Sequence, residues 1–239
     1  MIAELMIGAD VDFRDAHRAV PEVADSRRIP RLPGWPVRTV RSHEPWRREY
    51  FRTVYLVRDP RDVAVSYYHY RKWLREYSGS MSAFVRLFAN GRVDTYGRWD
   101  KHVQSWTTRN SAQVLVIHFE HLLADTRACL TDAAAFFEIP AGQQAIDQAT
   151  ANNLAAPMRA KERLAHSGFS NQTDPRRSFV RSARSGDWQS QLTARDAALI
   201  HGSFGPTMAR MGYGVAEPDG SQGRSAVFGP PSFHGQPRG

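Results

Sequence analysis

With 239 residues, 41% of them hydrophobic and 23% charged, the chain is long enough to bury one sizeable core and too apolar for wholesale disorder. No apolar run approaches the ~20 residues of a membrane helix, the start MIAELMIGADVDFRD predicts no secretory leader, and a single cysteine, Cys129, excludes a disulfide framework and a thiolate zinc cluster and fits a reducing cytoplasm. The net charge of +8 suits an anionic partner, but the arginines recur singly or in pairs and form no block of the kind that marks a nucleic-acid tail.

Residues 25–36 (DSRRIPRLPGWP) form a Pro-rich, irregular stretch leading into a first strand at 37–40. Residues 53–57 (TVYLV) are β-branched and aromatic and bounded by charge, which predicts a buried parallel strand. After the turn RDPRD, Val63, Tyr67, Tyr70 and Leu74 recur at helical spacing. Residues 81–90 predict a helix with Phe84, Leu87 and Phe88 on one face and Gly91 as its stop. Tyr96, Trp99, Val103 and Trp106 make a third helical stripe, and 114–119 (VLVIHF) a second buried strand. Asp125 is placed to cap a helix through Phe137 that Ile139 and Pro140 end, and another helix spans 143–152. Residues 159–178 are polar and mixed, a surface excursion. Thr193 opens a last helix, with Gly202 and Pro206 as interruptions. From Gly214 onward 10 of 26 residues are Gly or Pro, which predicts a disordered tail at 214–239 behind one domain at 1–213. Strands alternating with helices predict a three-layer α/β fold with a mostly parallel sheet.

The most informative segment is TVYLVRDPRDVAVSYYHYRKW. Arg58 stands at the carboxyl edge of a parallel strand, where open α/β sheets bind ligands. Its guanidinium can present a fixed fork of donors to a phosphate, and Ser66 can add a hydroxyl. The local pattern fits a plainer reading equally well: Arg58 and Asp62 form a capping ion pair and Ser66 is a small packing residue. His118 and His121 flank Glu120 across a strand end without further ligands, so no metal site is expected.

A second element, FVRSARSGDWQSQLT at 179–193, combines with the first. Together they resemble the sulfotransferases that use 3′-phosphoadenosine 5′-phosphosulfate, a family with P-loop-like nucleotide-binding folds. Its strand–loop–helix YLVRDPRDVAVSYYHY is matched at 55–70, its RKGxxGDWKxxFT element in part, and the likeness extends over about residues 9–213. The resemblance implies that Arg58, Ser66 and Arg181 hold the cofactor's 3′-phosphate. Ser182 and Ala183 stand where the family has Lys and Gly. Phe119 occupies the place of a tyrosine beside the adenine, and Asn153 and Leu154 loosely match a Ser–Phe pair that flanks it. RSHE at 41–44 resembles the family's K-[ST]-H motif, which makes His43 the general base toward the acceptor and Arg41 a sulfonate contact. The chemistry agrees, because an alcohol must lose its proton as it attacks sulfur and imidazole titrates near working pH.

The family's phosphosulfate-cradling loop, of the form PKSGTTW, has no counterpart in this sequence, and the chain is expected to lack the start of the domain. In the family the strand before that loop lies inside the sheet. Its two neighbours are therefore expected to lack their shared partner and to bare edges that favour association, which leaves a homo-oligomer open. The expected activity is sulfonate transfer from 3′-phosphoadenosine 5′-phosphosulfate to a hydroxyl or amine of a small-molecule acceptor, in the cytoplasm and without a metal. Two rivals remain: an inactive remnant that binds adenosine 3′,5′-bisphosphate, and a basic nucleic-acid-binding protein. No specific nucleic acid is expected as a partner.

Overall fold

The computed structural model describes residues 1–23, 38–109, 112–164 and 184–214. The expected loop at 25–36, most of the excursion at 159–178 and the tail at 215–239 lie outside the described residues. In chain order the elements are α1 (Ile2–Ile7), α2 (Phe13–Ala19), β1 (Thr53–Val57), α3 (Pro60–Trp73), α4 (Met81–Ala89), α5 (Trp99–Thr107), β2 (Val114–His118), α6 (Phe119–Ala124), α7 (Thr126–Phe136), α8 (Gln143–Asn152), α9 (Ala155–Leu164), α10 (Trp188–Gln191) and α11 (Ala194–Arg210).

The two β-branched runs form the sheet. β1 and β2 pair in parallel, in register from Thr53 opposite Val114 to Val57 opposite His118. Among the described residues the sheet has these two strands only, so each pairs along one edge. The predicted strand at 37–40 is corrected. Residues 38–40 carry no ladder, Val37 lies outside the described residues, and pairing reduces to a single parallel bridge between Glu22 and Arg41. That bridge uses Arg41 N–H on the Pro21 carbonyl and Val23 N–H on the Arg41 carbonyl, both at 3.0 Å. Phe119 was read as the end of the second strand and instead opens α6.

One core lies on the face of the sheet carrying Tyr55, Val57 and Val116, against Phe84, Val85 and Phe88 of α4, Val103 of α5 and Ile200, Phe204 and Met208 of α11. A second cluster joins Leu130 and Ala134 of α7 to Ile146 and Ala149 of α8, with Ile2 and Leu5 of α1 against it. Local signals explain most boundaries. Asp59, Ser80, Asp125 and Thr193 each accept a backbone N–H at a helix start, and Thr193 forms a reciprocal capping box with Asp196. Gly91 ends α4 at φ 67°, and a Cβ there would lie 2.8 Å from the Arg98 backbone nitrogen, so only glycine fits.

The interruptions expected at Gly202 and Pro206 do not occur, since α11 runs through both. A proline inside a helix costs ~3 kcal/mol. Burial of Ile200, Phe204 and Met208, none of which is exposed, outweighs it at ~1.5–3 kcal/mol per large apolar side chain.

Candidate functional site

The register of the two strands builds the site. Because Val57 lies opposite His118, the next residues, Arg58 and Phe119, leave the sheet side by side at its carboxyl edge. The Arg58 guanidinium sits 4.5 Å above the centre of the Phe119 ring. Its Nη2 donates to the Arg184 carbonyl at 2.9 Å, while its Nε is buried with no acceptor among the described residues. Ser66 lies two turns further along α3 and is half-buried.

Asp59 caps α3, accepting the Arg61 amide at 2.8 Å and pairing with the Arg61 guanidinium at 2.6 Å. Its own N–H donates to Glu120 of α6 at 3.2 Å, which ties the two strand ends together. Glu120 also accepts the Tyr213 hydroxyl at 3.0 Å. Asp62 does not cap the helix, as the plainer sequence reading had it. It approaches Arg58 only to 3.9 Å and instead accepts the amides of Gly186 at 2.6 Å and Trp188 at 3.0 Å. The Trp188 ring lies 3.9 Å from the Arg61 guanidinium. The two motif segments thus meet at one place although they are over 120 residues apart, as the 124-residue span from Asp62 to Gly186 records. Arg181, Ser182 and Ala183 lie outside the described residues.

The RSHE segment has separate supports. Arg41 Nε pairs with Glu22 at 3.2 Å, and its Nη2 lies 3.2 Å from His17 Nδ1 of α2. His43 Nε2 lies 3.9 Å from the same Glu22 oxygen, with its side chain 70% exposed and its ring 6.0 Å from that of Tyr96. α5 holds the backbone of this segment. His102 bonds the His43 carbonyl at 3.1 Å, Trp106 Nε1 donates to the Glu44 carbonyl at 3.2 Å, and Trp46 N–H donates to Ser105 at 3.0 Å. Burial lowers the pKa of His102, which keeps the ring neutral, and the network assigns its proton to Nε2 while Nδ1 accepts from Tyr55 at 3.0 Å. Tyr55 of β1 and Arg58, the residue that follows the strand, are three residues apart, about 10 Å at ~3.3 Å per residue. β1 therefore joins the clamp on His43 to the Arg58 site at its carboxyl end.

Glu22, His102, Ser105 and Trp106 were missed in the sequence. Trp106 and Val103 marked only a core face, and nothing local ties His102 to a carbonyl 59 residues earlier. Asn153 does not reach the Arg58 site; its side chain donates to the buried Glu4 at 2.7 Å, and Leu154 is exposed. His118 lies 5.2 Å from His121, ring to ring, and 3.1 Å from the Tyr213 hydroxyl. Among the described residues no group of three His, Cys, Asp or Glu side chains is placed to hold a metal ion.

Comparison with known proteins follows the same residues. The family model described as the sulfotransferase domain matches residues 36–212. Mouse sulfotransferase 2B1 is 28% identical over 178 residues, covering 71% of this chain and 52% of that protein. Human sulfotransferase 1E1 is 27% identical over 169 residues, covering 65% and 57%. The chain spans about half the length of the curated relatives it matches. Among solved structures, mouse sulfotransferase SULT7A1 complexed with PAP superposes with a TM-score of 0.60 at 24% identity, over 73% of this chain and 67% of that one. Retinol dehydratase in complex with androsterone and PAP gives 0.62 at 21%, over 74% and 55%. At these identities the structures speak for the fold. The family match runs unbroken through RSHE, the strand–turn–helix around Arg58 and the GDW loop that Asp62 binds, and the chain therefore belongs to the sulfotransferase domain family.

Proposed function

We propose that this chain transfers a sulfonate from 3′-phosphoadenosine 5′-phosphosulfate to a hydroxyl or amine of a small-molecule acceptor. The observation that carries the reading is the environment of Arg58. Its buried Nε has no acceptor among the described residues, and its guanidinium lies at the carboxyl edge of a parallel strand pair, stacked on an aromatic ring. An orphaned, charged, buried donor is costly unless an anion completes it. A nucleotide 3′-phosphate fits that donor, the Ser66 hydroxyl adds to it, and Phe119 offers a flat surface to a base. Two relatives of known structure carry PAP, as their descriptions state.

On this reading the acceptor oxygen or nitrogen forms its bond to sulfur as the bridge from sulfur to the phosphate breaks. His43 takes the acceptor's proton. The imidazolium so formed faces the Glu22 carboxylate 3.9 Å away, and Arg41, tied to the same carboxylate, stands ready to steady charge on the sulfonate. Arg181, Ser182 and Ala183 complete the phosphate side of the proposal. A single cysteine accords with a cytoplasmic setting.

The test is paired. Calorimetry with adenosine 3′,5′-bisphosphate measures the half-site, and release of that nucleotide from labelled donor in the presence of alcohols, phenols and amines measures transfer. Binding with transfer upholds the proposal. Binding without transfer to any acceptor reduces it to a nucleotide-binding protein, and a salt-sensitive shift of duplex DNA that the nucleotide leaves unchanged replaces it.

A further inference from the structure

We propose that Asp62 is the positioning residue of the nucleotide site: its carboxylate locks the 184–188 loop onto the turn between β1 and α3 and so sets the Arg58 guanidinium for its anion. The proposal rests on the reading of Arg58 given above. Asp62 is 1% exposed, and α3 already has its cap in Asp59. A carboxylate buried this fully is expensive unless its oxygens are satisfied. Both are satisfied by the loop, one by Gly186 N–H at 2.6 Å and the other by Trp188 N–H at 3.0 Å. Gly186 adopts φ 82°, a conformation glycine reaches without strain. Arg58 closes the circuit, since its Nη2 donates to the Arg184 carbonyl of the same loop and lies 3.9 Å from Asp62. Loop, acid and guanidinium hold one another, and removing the acid frees the other two.

The arrangement makes nucleotide affinity depend on the charge of Asp62. Among the described residues the charged groups around it are Arg58 and Asp59 on its own turn, Arg61 paired to Asp59, Glu120 reaching in from α6, and Arg184 and Asp187 on the loop, 3.8 Å from each other. Among these acids Asp62 alone accepts the Gly186 and Trp188 amides. Burial pushes its carboxyl above the usual carboxylate range, against the pull of the two amides and Arg58. A carboxyl raised on folding is protonated more readily in the folded chain, so its protonation favours the fold and the associated stability fades as pH rises. The Gly186 and Trp188 amides bond the charged form, however, so protonation removes their pull and loosens the loop without unfolding the protein through Asp62.

The experiment uses Asp62→Asn in the full chain, with adenosine 3′,5′-bisphosphate as the probe and amide hydrogen exchange as a readout that needs no ligand. The amide NH₂ of asparagine keeps the shape but must face one loop N–H, donor against donor. The loss of one charge-assisted bond sets the expected weakening at ~10- to 100-fold at pH 7. The Gly186 and Trp188 amides lose protection while those of β1 and β2 keep theirs. On acidification the wild-type affinity falls more steeply than the variant's, whose slope reports only the ligand's own phosphates. Equal affinity in a folded variant with a freed loop overturns the proposal, as does a loop that stays protected. Should the variant not fold, exchange in the wild type decides as the pH is lowered from about 7 to the acid edge of the fold: protection at Gly186 and Trp188 that is lost only together with that of β1 and β2 overturns the proposal. Failure of the wild type to bind the nucleotide would instead overturn the functional reading and with it the nucleotide half of this one, the exchange data still deciding whether Asp62 holds the loop.

Discussion

Replacing Arg58 with alanine separates a phosphate clamp from a structural arginine. In the free protein the side chain makes one bond to the Arg184 carbonyl and stacks on Phe119. The charge-assisted bond is worth ~1.5–3 kcal/mol and the stacking ~0.5–1 kcal/mol, and the buried Asp62 carboxylate lies 3.9 Å away, so folding stability falls by about 2–4 kcal/mol. The nucleotide loses its own contact besides. Nε has no partner among the described residues, and one charge-assisted bond to phosphate is worth ~1.5–3 kcal/mol, or ~10- to 150-fold in affinity at ~1.4 kcal/mol per decade. Arg58→Lys keeps the charge but loses the planar fork and Nε, so it falls between wild type and alanine. Calorimetry with adenosine 3′,5′-bisphosphate, run beside thermal melting, reads both quantities. An affinity unchanged in a folded Arg58→Ala variant removes Arg58 from the site and refutes the reasoning from its orphaned donor.

Three further outcomes are expected. His43→Gln lowers turnover by ~10²- to 10⁴-fold while leaving bisphosphate affinity unchanged, and near-full turnover together with an inactive Glu44→Gln moves the base one residue along. Phe204→Ala, at a ring packed 5.6 Å from both Phe88 and Trp99 and not exposed at all, destabilises the fold by ~3–5 kcal/mol in urea unfolding, and a loss below about 1 kcal/mol would show that α11 does not carry the main core. Burial raises the Asp196 carboxyl, but hydrogen bonds from Ser82 and Thr193 outweigh it and leave its pKa below the usual value. Its contribution to stability is therefore full above the ordinary carboxylate midpoint of about 3.9 and is lost as pH falls through the lowered one, so stability against acid must be less steep in Asp196→Asn than in wild type.

What the sequence alone determined is local. The helix at 143–152 and the caps at Asp125 and Thr193 are legible because a helix repeats every 3.6 residues and its cap lies within three residues of the N–H it satisfies. The place of Arg58 at the carboxyl edge of the sheet was legible for the same reason, since a strand followed directly by a helix leaves a turn residue between them. Tertiary structure decided everything that joins distant segments. It chose the Gly186 and Trp188 amides as partners of Asp62 over the nearby arginine, because a buried carboxylate needs two satisfied oxygens and Arg58 comes no nearer than 3.9 Å. It paired β1 with β2 directly, because the unpaired backbone of a strand must find a neighbour wherever the chain supplies one. It carried α11 through Pro206, because packing of three large side chains exceeds one lost hydrogen bond. It brought Glu22 and α5 around His43, a convergence set by the path of the whole chain, which no short-range pattern encodes.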